Sequence, residues 1–62
     1  MIEMNERVVV IRVGEDLPAA LLGRKGIVSG VSIIKDTIHT VTVIFSQTEE
    51  YSMFPTELEV IQ

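Results

Sequence analysis

Residues 39–46 read His-Thr-Val-Thr-Val-Ile-Phe-Ser. Polar and apolar side chains alternate there with period two, the pattern of a half-buried strand and not of a helix. Val41, Val43 and Phe45 fall on one face; Thr40, Thr42 and Ile44 fall on the other. Residues 6–13 (ERVVVIRV) are equally rich in β-branched side chains and predict a first strand. Its alternation sets Val9, Ile11 and Val13 against Val8 and Val10, so both faces are expected to be partly covered. Residues 25–32 (KGIVSGVS) predict a second strand, with Gly26 and Gly30 allowing a sharp bend.

The remaining punctuation is short. Lys35-Asp36-Thr37 and Gln47-Thr48 predict turns on either side of the alternating strand. Residues 49–54 predict a fourth strand with Tyr51 and Met53 opposed to Ser52 and Phe54. Pro55-Thr56-Glu57 predicts a single 3-10 turn, because proline fixes φ and the Thr56 hydroxyl can bond locally. Residues 58–61 close the chain as a fifth strand. Between the first two strands, residues 14–23 form a long loop with one helical turn after Pro18. A true helix over residues 17–22 would make the domain α+β, but so few residues nucleate a helix poorly. The expected fold is therefore all-β: one domain over residues 1–62, a five-stranded SH3-like barrel with a long first loop and a 3-10 turn before the last strand. Closing the sheet into a barrel is also how so short a chain avoids bare strand edges.

A chain of 62 residues buries only about 60% of the surface it exposes when unfolded. It has no cysteine, so neither disulfides nor cysteine-based zinc sites can support it. The apolar fraction of 47% is dominated by Val and Ile and must supply the core. The net charge of −4 and isoelectric point near 4.7 argue against capture of nucleic acid or an anionic membrane. The strongest apolar run, residues 8–13, is broken by Arg12 and is too short to span a bilayer. No leader pattern precedes it, and the expected compartment is the cytoplasm.

Catalytic chemistry finds little support. His39 is the only side chain of its kind and has no cysteine or serine-elbow partner. The pairs Glu49-Glu50 and Glu57 with Glu59 suit two-carboxylate chemistry only in a desolvated cleft, which a small barrel lacks. Gly23-Arg24-Lys25-Gly26 lacks the spacing of a phosphate loop and reads as a tight turn. No catalytic, metal or cofactor site is expected.

Charge and apolar excess are more informative. All five basic residues lie in the first 35 positions, whereas from position 36 onward the charged residues are Asp36, Glu49, Glu50, Glu57 and Glu59. A negative surface on the late strands would steer a basic protein partner. Ile33, Ile34 and Ile38 flank the second turn, and adjacent Ile33 and Ile34 cannot both face the core of a regular strand. A bulge there, or a patch covered by a partner or a second copy, would account for them. Tyr51 has the rigid amphipathic ring common at binding hot spots.

Two likenesses follow from these segments. Val8-Val9-Val10-Ile11 followed by Gly23-Arg24-Lys25-Gly26-Ile27-Val28 resembles the barrels that carry the KOW motif, which are usually basic. The chain more closely resembles immunity protein 31 of bacterial polymorphic-toxin systems, through four pieces in order. These are the Arg7-Val8-Val9-Val10 strand; Asp16-Leu17-Pro18 with Leu22-Gly23-Arg24-Lys25-Gly26-Ile27-Val28; the strand over residues 41–45; and Phe54-Pro55-Thr56-Glu57-Leu58-Glu59. Tyr51 or Met53 stands where that family carries a tryptophan, and its Thr-Gly after the last strand is missing. The resemblance implies an acidic inhibitor of a cognate toxin. Residue patterns and resemblance together predict a non-enzymatic protein-binding module that blocks a toxin or effector. The alternatives are a phage-encoded inhibitor of a host nuclease or defence complex, and an assembly module docking through the isoleucine patch.

Overall fold

A computed structural model describes residues 2–61. Five strands follow one another: β1 (Arg7–Val10), β2 (Lys25–Ile34), β3 (Thr37–Ser46), β4 (Glu49–Met53) and β5 (Leu58–Ile61). Two 3-10 turns interrupt them, at Ala19–Leu21 in the first loop and at Pro55–Glu57 before β5. The strands form a single sheet in the order β4-β3-β2-β1-β5, every neighbour antiparallel. The chain is all-β, and the first loop contributes one 3-10 turn instead of a helix.

The sheet does not close by hydrogen bonds into the expected barrel. β4 and β5 are its two edges, with no ladder between them. The sheet instead carries one core, built from Val8 and Val10 of β1, Val28 of β2, Val41 and Val43 of β3, Met53 at the end of β4, and Leu58 of β5. Leu21 of the first loop completes it. Burial of apolar side chains drawn from every strand is the main force holding so small a sheet in shape.

β2 and β3 make the long central ladder, and its irregularities bend it. The register shifts between Val28 and Gly30, leaving Ser29 without a direct partner, and again between Ser32 and Ile33. Such extra residues increase local twist and re-aim the side chains beyond them. Gly26 permits a close approach at the start of β2. A methyl group there would stand 2.5 Å from Val43 Cγ1 and 2.8 Å from the Ile44 carbonyl oxygen. At Gly30 the same methyl would have ordinary van der Waals room, so steric crowding demands the first glycine and not the second.

Several strand limits differ from the sequence expectation, each for a local reason. β1 stops at Val10, short of residue 13, because the N–H groups of Ile11 and Arg12 donate to the Glu57 carbonyl instead of a neighbouring strand. The two central strands extend to Ile34 and begin again at Thr37, leaving only Lys35 and Asp36 in the turn. Both have positive φ, 52° and 64°, as the tight hairpin turn that matches strand twist requires. β4 ends at Met53 because the Phe54 N–H is taken by the Glu57 side chain. That bond, not one from Thr56, is the local side-chain support of the second 3-10 turn.

Candidate functional site

Glu57 organises one end of the sheet. It is only 8% exposed, and its two carboxylate oxygens accept N–H groups from Phe54 at 2.9 Å and Gly14 at 2.8 Å. Its carbonyl accepts the Ile11 N–H at 2.8 Å. A buried carboxylate is tolerable only when its oxygens are satisfied in this way. The clamp holds the start of the first loop against the turn before β5.

A cleft of about 220 Å³ lies beside this clamp. Asp16 and Leu17 of the first loop form one wall; Thr40 of β3 with Ser52, Met53 and Phe54 form the other. Phe54 is 55% exposed, and its ring meets the His39 imidazole edge-on, with centroids 6.2 Å apart and planes at 83°. Asp16, which lines the cleft, is exposed, and so is its chain neighbour Glu15. An apolar ring beside fixed negative charge suits a partner that offers a cation next to an apolar side chain.

A second cluster ties the first loop to the β3–β4 turn. Arg24 makes a bidentate ion pair with Glu49, at 2.8 and 3.2 Å, and its guanidinium lies 5.4 Å from the centre of the Phe45 ring. The Tyr51 ring is tilted against Phe45 at 6.2 Å. Hydrogen bonds from Arg24 and from Ser46 hold the Glu49 carboxyl below its ordinary range, and the bond to Glu49 raises Arg24 further. Gly23, with φ of 82°, makes the left-handed step that delivers Arg24 to this position. Gly23-Arg24-Lys25-Gly26 is thus a turn into β2, with Arg24 already engaged.

The residues singled out in the sequence do not share one surface. Glu49 is paired with Arg24, and Glu57 is buried in its clamp. Glu50 projects from β4, where Ser29 Oγ donates to it at 3.4 Å, while Glu59 lies on the opposite sheet edge, facing Val9 in register. Asp36 sits at the tip of the β2–β3 hairpin. Tyr51 is half-buried against the core. Ile33 and Ile34 are 63% and 52% exposed near the hairpin tip, whereas Ile38 packs on the core. The expected bulge and the expected exposed patch therefore occur together.

Phe54, Leu17 and Asp16 did not stand out in the sequence. Alternation with Met53 does turn Phe54 outward, but only the folded first loop brings Leu17 and Asp16 opposite it. Among the described residues no cluster of three or more His, Asp or Glu could hold a metal ion, and no helix is long and apolar enough to cross a membrane. No family model, curated protein or solved structure matches the chain.

Proposed function

We propose that this chain is a non-enzymatic protein-binding domain with an SH3-like architecture, whose cleft takes a basic, partly apolar segment of another protein. The strand order β4-β3-β2-β1-β5, the long first loop and the 3-10 turn before β5 support the architectural part of the reading. The binding part is carried by one observation. Phe54 is largely exposed in a cleft that exposed Asp16 also lines, with the backbone around it fixed by the Glu57 clamp. A prearranged wall limits the ordering cost of association, and the acidic rim speeds encounter with a cationic partner.

The reading places the domain in the cytoplasm as an inhibitor of a toxin or effector, the role its resemblance to immunity protein 31 implies. Exposed Ile33 and Ile34 favour a second reading, an assembly module that docks by its hairpin tip. Affinity capture from the native host, run in parallel with Phe54→Ala and Asp16→Lys, tests the first against the second. The proposal expects a basic partner lost with both variants and kept with Ile33→Thr. A partner lost only with Ile33→Thr would replace the cleft by the hairpin tip.

A further inference from the structure

The outer face of the sheet carries a row in which Glu50 and Arg7 flank two isoleucines, with Ile61 of β5 beyond Arg7. Glu50 of β4 faces Ile44 of β3 in register, Ile44 faces Ile27 of β2, and Ile27 faces Arg7 of β1. Residues opposed in register share a sheet face. The row therefore reads acid, isoleucine, isoleucine, base across four adjacent strands. Ile27 is 50% exposed and Ile44 40% exposed. Arg7, Lys25, Ile27, Ile44 and Phe45 line a groove of about 400 Å³ along it. Among the described residues no contact joins Glu50 to Arg7. They stand three strand spacings apart, about 14 Å at the usual separation, and among the described residues the only ion pair is Arg24 with Glu49.

A row with this order is complementary to its own reverse. A two-fold axis lying along the strands, between Ile27 and Ile44, turns a second copy face to face and inverts the row. Ile27 then meets Ile44 of the partner, and Arg7 meets Glu50 of the partner, each contact occurring twice by symmetry. Toward the hairpin tip the neighbouring positions are Ser29 and Thr42, small hydroxyls that let a second sheet approach. A standard interface takes about 800 Å² from each partner, roughly a fifth of the 4428 Å² this chain exposes.

We infer that the Glu50–Ile44–Ile27–Arg7 row is a homodimer interface, in which two copies pack their outer sheet faces together with their rows running in opposite directions. The row lies at the opposite end of the β3–β4 ladder from the cleft, where Val41 faces Met53, so one surface can fail without the other.

Sedimentation equilibrium from micromolar to millimolar concentration tests the inference. The parent associates to twice its 6.9 kDa mass. Arg7→Glu or Glu50→Arg alone sets like charges together at two places and raises the dissociation constant at least about tenfold. The double variant Arg7→Glu/Glu50→Arg restores the parent value to within about threefold, since the swap re-creates both contacts. Ile27→Thr keeps β-branching and the fold but weakens association. A parent that remains monomeric at millimolar concentration overturns the inference. So does a double variant no tighter than either single one, because only a direct Arg7–Glu50 contact between copies predicts the rescue.

Discussion

The Glu57 carboxylate accepts the N–H of Gly14 at 2.8 Å across 43 positions of sequence. With the Phe54 N–H on its other oxygen, this side chain joins the first loop to the turn before β5. Glu57→Ala removes the acceptor for two shielded N–H groups, and hydrogen bonds to a charged partner are worth about 1.5–3 kcal/mol each. The expected loss is about 3–6 kcal/mol in denaturant unfolding, with Glu57→Gln losing less because its amide oxygen still accepts one bond. A charge reversal at Glu57 therefore acts on folding before it can act on binding, whereas reversal at exposed Glu50 leaves unfolding nearly unchanged.

Val43 lies close against Gly26, leaving no room for a side chain there. Val43 is fully buried, and Val43→Ala is expected to cost about 2–4 kcal/mol, as large-to-small core changes do. Gly26→Ala forces its methyl against Val43 Cγ1 and the Ile44 carbonyl oxygen. The double variant should be less destabilised than the sum of the singles, by about 1 kcal/mol or more, because shortening Val43 relieves one of the two clashes. Strict additivity in unfolding midpoints would place the two residues apart.

The β2–β3 turn holds two non-glycine residues at positive φ. Replacing Lys35-Asp36 by Asn-Gly, the pair that suits this turn, should stabilise the domain by about 1 kcal/mol. A drop in thermal midpoint would contradict the turn geometry.

Glu49 titrates below the ordinary glutamate value of 4.5 because Arg24 and Ser46 donate to it. A carboxyl depressed in the folded state contributes stability above its unfolded value and loses that contribution as pH falls through the folded value. Carboxyl NMR titration should find Glu49 among the last glutamates to protonate on acidification. Arg24→Met should move its midpoint back up. Since both side chains are substantially solvated, the change in global stability should be small.

How far the sequence carried this picture depended on the range of the interaction. Alternation at Val41, Val43 and Met53 placed the core faces of β3 and β4, because period two needs only neighbours along the chain. Pro55 marked the turn before β5 for the same reason. In residues 6–13, valine and isoleucine occupy both faces, so local pattern did not choose the buried one. Pairing of β1 between β2 and β5 buries Val8 and Val10 and leaves Ile11 outside. Glu57 read as one more solvated acid, since its Gly14 partner lies far away in sequence. The cleft was equally hidden, being assembled from a loop whose path the residues alone do not specify.

The acid-rimmed cleft is tested most directly by the association rate of the captured partner at rising ionic strength. The cleft account predicts that the rate for the parent falls steeply between low and physiological salt. Asp16→Lys should flatten that dependence, and Phe54→Ala should speed dissociation while leaving the salt slope intact. A partner that associates at the same rate at every salt concentration, with parent and Asp16→Lys alike, contradicts it.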